Sequence, residues 1–230
     1  MSVDREKCPH DGTQAHGQGE TARGWRVTAL NIDIATVRGF LHAEEGAALH
    51  RHAQVAARRG PCLEIGSWCG KSAVYIGAAC KAVGGILFTV DHHRGSEENQ
   101  PGWEYFDETV WDEAAGAIDT LPFLRDTLRR AGLEETVIPI VGRSPVVAKH
   151  WAAPLALLFI DGGHTMEHAL ADWRGWARHL MPGGLLAIHD VFPDPADGGR
   201  PPFEIYRRAL ASDLFEEVEA VESLRILRRL

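Results

Sequence analysis

Short, uninterrupted apolar runs alternate along the chain with longer stretches in which apolar residues return every three or four positions, the pattern of buried strands separated by amphipathic helices. Between Asn31 and Arg59, Ile34, Val37, Phe40 and Leu41 recur at helical spacing ahead of an Ala-rich stretch ending at Arg58, Arg59 and Gly60, so helices are expected before the first strand. Pro61–Gly66 reads as that strand and Lys71–Val83 as the helix that follows. Gly84-Gly85 breaks this helix, and Ile86–Val90 is the next strand, ending on Asp91. The alternation then continues through helix Leu121–Ala131, strand Val137–Val141, helix Pro145–Trp151, strand Leu155–Ile160 and helix Thr165–Leu180. Pro182-Gly183-Gly184 should stop the last helix ahead of strand Leu185–Ile188. A helix near Glu204–Ala211 leads to two β-like runs, Phe215–Val221 and Leu224–Leu230.

Residues 92–118 break the rhythm. They hold Gly, Pro, many acids and the aromatic residues Trp103, Tyr105, Phe106 and Trp111, and are expected to form a lid inserted over the ligand-binding edge. Apolar strands alternating with helices predict an α/β fold with a mostly parallel sheet covered on both faces. In such sheets ligands bind at the carboxyl ends of the strands, near the point where the winding reverses. Glu64, Asp91, Asp161, His189 and Asp190 all fall at predicted strand ends.

With 230 residues, 45% hydrophobic and 24% charged, the chain has material for a single domain of this kind, expected over residues 25–230 with its N-terminal helices at 25–59. The formal net charge of -8 argues against nucleic acid as a partner, because phosphate affinity comes from clustered Lys and Arg. Cys8, Cys62, Cys69 and Cys80 make no Cys-x-x-Cys pair, and three of them fall in core-like segments, which fits reduced thiols in the cytoplasm. Residues 1–24 are polar and Gly-rich and are expected to be a disordered tail, with His10 and His16 solvated, and not a signal peptide or a membrane anchor.

The segment Glu64-Ile-Gly66-Ser-Trp-Cys-Gly70-Lys-Ser72 joins the first strand to its helix, where backbone N–H groups and the helix dipole commonly meet a ligand. A dinucleotide fingerprint starting at Gly66 would need glycines where Trp68 and Lys71 stand, so NAD is disfavoured. Gly70-Lys71-Ser72 matches the end of a P-loop, but the first Gly of that motif would fall on Ile65, and Glu64 would face a phosphate with like charge. A P-loop nucleotide enzyme is therefore the weaker alternative. Glu64, by its charge, suits a cationic ligand instead.

That loop resembles the first motif of class I methyltransferases, and the resemblance extends through Val141-Gly-Arg-Ser144, Leu158-Phe-Ile-Asp161-Gly-Gly-His164 and Pro182-Gly-Gly-Leu-Leu-Ala-Ile-His189-Asp190. Together these are similar to the metal-dependent O-methyltransferases, both the catechol type and the relatives of macrolide-sugar methyltransferases. The resemblance implies a Rossmann-like fold with a seven-stranded, mostly parallel sheet and helices on both faces. It implies S-adenosylmethionine held by Glu64, Gly66, Ser67, Gly70, Ser72 and Asp91, with Arg143 and Ser144 bordering the adenine. It implies Mg²⁺, or another divalent cation, on Asp161 and Asp190, and His164 as general base. Where the catechol type has a coordinating Asn after the second metal Asp, this chain has Val191; in the sugar-modifying relatives a ligand precedes that Asp, which puts His189 in the position, as first ligand or one step behind. His164-Thr-Met-Glu167-His168 also fits the pattern of inverted zinc peptidases, but His164 sits at the predicted loop–helix junction and little chain remains for a third ligand. His168 then reads as a helix-surface or packing residue.

A sugar hydroxyl is a weak acid, so methylating it calls for a base and for a cation to stabilise the developing alkoxide. The expected acceptor is a small molecule or an oligosaccharide, with a mannoside of a methylated polysaccharide as candidate and a catechol or phenol as the alternative. Trp103 and Tyr105, with Phe106, are candidates to stack on a sugar ring or, equally, to anchor the lid by packing. Phe40 and Leu41 are offered to a partner subunit, in keeping with the dimers common among such relatives.

Overall fold

The computed structural model describes residues 32–230 except Glu104, His164 and Pro195. The tail expected over residues 1–24 and the base candidate His164 thus lie outside the described residues. Helix α1 (Ala43–Ala56) precedes strand β1 (Cys62–Ile65), helix α2 (Lys71–Ala82) and strand β2 (Leu87–Asp91). The insertion carries two short 3-10 turns and a small hairpin of β3 (Trp111–Asp112) and β4 (Ala117–Ile118). Then follow α3 (Leu121–Ala131), β5 (Val137–Val141), α4 (Ser144–His150), β6 (Leu155–Ile160), α5 (Met166–Trp176), β7 (Leu180–Ile188), α6 (Arg200–Ala211), β8 (Phe215–Val221) and β9 (Leu224–Arg229).

The main sheet has seven strands in the order β5-β2-β1-β6-β7-β9-β8. The first five are parallel, and β9 and β8 join antiparallel at one edge. Winding runs outward from β1 through β2 to β5 and then returns to β6 beside β1, so the reversal lies between β1 and β6. Successive side chains of a strand point to opposite faces, and β6 divides its residues accordingly: Leu157 and Phe159 enter the layer with Leu49, Ile76 and Leu128, whereas Leu158 and Ile160 enter the layer with Ala148, Trp176 and Ile205. Helices α1, α2 and α3 thus cover one face and α4, α5 and α6 the other. Among the described residues no helix is long and apolar enough to cross a membrane.

Several expectations need correction. Residues 32–42 are not a helix: a single 3-10 turn, Ile34–Thr36, is capped by Asp33, and the chain then runs irregularly past Gly39, whose φ is +146. The Lys71 side chain lies against Gly39, where a Cβ would stand 2.8 Å from that of Lys71, so the apolar residues here meet the core without helical periodicity. Leu41, offered above to a partner subunit, is buried in the core, while Phe40 is exposed. Strand β7 begins at Leu180, not Leu185, and absorbs Pro182-Gly183-Gly184. The carbonyl oxygens of that irregular stretch are satisfied by arginines, Arg59 donating to Pro182 and Gly183 and Arg229 to Leu180. The preceding helix ends at Trp176, followed by a 3-10 turn, Ala177–His179.

Candidate functional site

The turn after β1 bends back through Gly66 and Gly70, both at positive φ, to start α2. Gly66 is required by proximity, since a Cβ there would overlap the carbonyl oxygen of Asp161 at the end of β6. Glu64 is fully buried on β1 and accepts the Thr89 hydroxyl at 2.6 Å through Oε2. Burial pushes its carboxyl up to about 7; the neighbouring Ser72 and Thr89 hydroxyls work the other way, and the nearby Asp161 and Asp91 charges add to the rise. Asp91, at the end of β2, accepts the backbone N–H groups of Ser67 (3.1 Å), Trp68 (3.0 Å) and His93 (2.7 Å), which ties the glycine turn to its neighbouring strand.

Three buried side-chain atoms among the described residues have no hydrogen-bond partner: Glu64 Oε1, Ser67 Oγ and His93 Nε2. All belong to residues at the carboxyl ends of β1 and β2, and buried polar groups left unpaired are costly unless a ligand or water meets them. The four acids Glu64, Asp91, Asp161 and Asp190 lie at the ends of four adjacent strands, so a cationic ligand is the one this edge suits. His93 was missed by sequence reasoning because it follows the Asp91 strand end inside the irregular insertion. Its Nδ1 lies 2.8 Å from Thr120 Oγ1, and burial lowers its pKa against the raising influence of Asp91 and Asp119.

On the other side of the reversal, β6 and β7 deliver Asp161, His189 and Asp190, whose ligand atoms lie within 4.8 Å of one another. His189 Nδ1 stands 3.0 Å from Asp161 Oδ1 and 3.4 Å from Asp190 Oδ1. Its Nε2 stands 2.9 Å from Oε2 of Glu45, a residue of α1 that sequence reasoning passed over. Burial alone would lower the His189 pKa, but Asp161, Asp190 and Glu45 outweigh it and hold the ring well above the usual histidine range. Two carboxylates and an imidazole form a donor set that fits a divalent cation, and the surplus of negative charge around one ring points the same way. Val191, which cannot coordinate, is buried in the core.

Arg143 stands at the N-cap position of α4 with no side-chain capping bond, and the Gly142 N–H donates to the Asp91 carbonyl, so the turn after β5 adjoins the Asp91 strand end. The Ser144 hydroxyl is engaged within its own layer, donating to Asp172 and accepting from Trp176 Nε1 at 2.8 Å. Lys71 does not face the glycine turn's ligand side: its Nζ donates to the Gly39 carbonyl at 3.1 Å, which removes the phosphate contact a P-loop requires. Glu167 and His168 are exposed on the first turn of α5, and the candidate metal cluster among the described residues does not include them. The insertion packs on the glycine turn through Val110, Ile118 and Phe106 against Cys69 and Trp68. Trp103 and Tyr105 stay exposed, at 63% and 48%, with Tyr105 edge-on to Phe40.

A family model described as a methyltransferase domain matches residues 63–191, more than half of the chain. Solved structures with the same fold include the O-methyltransferase TomG from Streptomyces achromogenes, involved in tomaymycin synthesis and in complex with SAM; it is 16% identical, with TM-score 0.57 over 83% of this chain and 81% of that one. The O-methyltransferase from Bacillus cereus in complex with SAH is 16% identical, with TM-score 0.59 over 85% of this chain and 86% of that one. The O-methyltransferase NovP is 16% identical, with TM-score 0.62 over 81% of this chain and 80% of that one. At these identities the likeness is one of fold.

Proposed function

Because the chain belongs to the methyltransferase-domain family, we propose that it transfers the methyl group of S-adenosylmethionine to a hydroxyl oxygen, with a divalent cation at the acceptor, and that the acceptor is a sugar. The observation that carries this reading is the contact between Gly66 and the Asp161 main chain, which sets a cofactor-type turn lined by unpaired buried polar atoms directly beside a carboxylate–imidazole cluster. A methyl donor and an acceptor bound on the two sides of that contact are neighbours, and such proximity lowers the barrier by itself.

In this reading Glu64 meets the donor's ammonium, Ser67 and His93 offer their unpaired atoms, and Asp91 accepts a ribose hydroxyl through Oδ1, where its three backbone donors leave one acceptor site. Gly70, Ser72, Arg143 and Ser144 border the same edge. Asp161, Asp190 and His189 hold the cation, Mg²⁺ or another divalent ion, which supplies stabilisation of negative charge on the acceptor oxygen. His164, outside the described residues and three positions after Asp161, takes the hydroxyl proton as the new O–C bond forms and the donor's S–C bond breaks, leaving S-adenosylhomocysteine. Trp103 and Tyr105 present exposed rings to the apolar face of the sugar. A second copy of the chain is the proposed partner, through the face that carries Phe40, and sedimentation reads that association.

Calorimetry with S-adenosylmethionine, followed by radiolabelled methyl transfer over mannosides, other glycosides and catechols with Mg²⁺ or EDTA, tests the reading. Metal-dependent transfer to glycosides is expected. Transfer to catechols alone would replace the sugar by a phenol, and donor binding with no transfer to any acceptor would leave a cofactor-binding protein without this activity.

A further inference from the structure

We propose that Glu45, on α1, is the positioning residue that orients His189 as a metal ligand and thereby gives the site a preference for Mn²⁺ over Mg²⁺; this rests on the metal-dependent reading above. Helix α1 lies outside the residues matched by the methyltransferase family model, so the contact is supplied by this chain's own N-terminal segment. Glu45 is fully buried and all of its acceptor capacity is directed. Oε1 accepts the backbone N–H and the hydroxyl of Ser223, at 2.9 and 2.8 Å, from the turn between β8 and β9. Oε2 accepts the His42 N–H at 3.1 Å and faces His189 Nε2 at 2.9 Å. The Ser223 carbonyl in turn accepts the Val191 N–H, which holds the chain just after Asp190.

With both Glu45 oxygens pinned, the imidazole has one orientation: Nε2–H donates to Glu45, and Nδ1 faces Asp161 and Asp190. A carboxylate behind an imidazole ligand fixes its tautomer and raises its basicity. A nitrogen donor in place of a third oxygen favours Mn²⁺ and later first-row ions over Mg²⁺. A purely bracing role, in which Glu45 and His189 only join α1 to β7, would affect stability and leave metal preference unmoved.

Titration calorimetry of the EDTA-stripped full chain with Mn²⁺ and with Mg²⁺ separates these. The wild type is expected to bind Mn²⁺ more tightly. Glu45→Ala should lose about 10–100-fold in Mn²⁺ affinity, the usual effect of removing such a partner, and less in Mg²⁺ affinity, so that the preference shrinks. Glu45→Gln, whose amide oxygen still accepts Nε2–H, should fall between, as should Ser223→Ala, which keeps the carboxylate but loosens it. Melting in EDTA reports folding, and if Glu45→Ala does not fold, the two milder variants decide. Nitrogen-15 NMR of the wild type with Zn²⁺ needs no variant: a proton on His189 Nε2 and a shifted Nδ1 are expected, and a protonated Nδ1 overturns the proposal. Folded variants with unchanged Mn²⁺ affinity and unchanged preference overturn it while leaving the metal-dependent reading intact; a wild type that binds neither ion overturns both.

Discussion

Gly66 and the carbonyl of Asp161 touch without room for a side chain, and Gly66 holds a φ of +88 while doing so. This contact joins the turn after β1 to the end of β6 at the point where the sheet reverses. Gly66→Ala is expected to cost about 1–2 kcal/mol for the left-handed backbone and about 1–3 kcal/mol more for overpacking, as read by denaturant unfolding. Affinity for S-adenosylmethionine should fall with it, and a folded variant binding the donor like wild type would contradict the role given to the turn.

In the proposed reading, Glu64 should make donor binding depend on pH. Its folded pKa, about 7, lies above the ordinary 4.5 because the carboxyl is buried. A group raised in this way contributes stability fully below its unfolded pKa and loses that contribution as pH rises through the folded value, a swing of about 3 kcal/mol here. Glu64→Gln should therefore melt higher than wild type above about pH 7 and no higher below about pH 4.5. A donor ammonium placed on Glu64 would select the ionised carboxylate, so wild-type affinity should climb between about pH 5.5 and 7, while Glu64→Gln stays weak and flat. A flat wild-type profile by calorimetry would separate Glu64 from the cofactor.

Asp161→Ala and Asp190→Ala should each lower turnover by about 100-fold or more, the kinetic equivalent of several kcal/mol of charge stabilisation at the acceptor oxygen. Donor affinity should stay near wild type, since the part of Asp161 that meets Gly66 is its main chain. EDTA should abolish wild-type activity and added divalent cation restore it; full activity in EDTA would remove the metal from the mechanism.

Lys71→Met tests the nucleotide alternative. Its Nζ bonds the Gly39 carbonyl, so the substitution is expected to cost about 0.5–1.5 kcal/mol of stability, the net worth of one hydrogen bond, and to leave methyl transfer in place. ATP should not raise the melting temperature of either form, whereas S-adenosylmethionine should raise both.

Much of the molecule was legible in the local pattern. Leu121–Ala131, Val137–Val141 and Leu155–Ile160 have the same bounds in sequence and structure, because each is an apolar or amphipathic run whose pattern stops at both ends. Residues 32–42 misled because Ile34, Val37 and Leu41 mimic helical spacing while Gly39 and the Lys71 stem set a different path. Pro182-Gly183-Gly184 misled in the opposite direction, since arginines distant in sequence satisfy carbonyls that a strand with proline leaves exposed.

Chain order alone settled the α/β architecture and put acids at strand ends, because hydrophobic periodicity and the residue that closes an apolar run are properties of neighbouring positions. Folding in three dimensions was needed for the meeting of Glu45 with His189, 144 positions apart, for the unpaired atoms of Ser67 and His93, and for the approach of Gly66 to Asp161. Those depend on which strands become neighbours and in what register, and no local pattern encodes a distance between segments that the chain brings together only when the whole sheet closes.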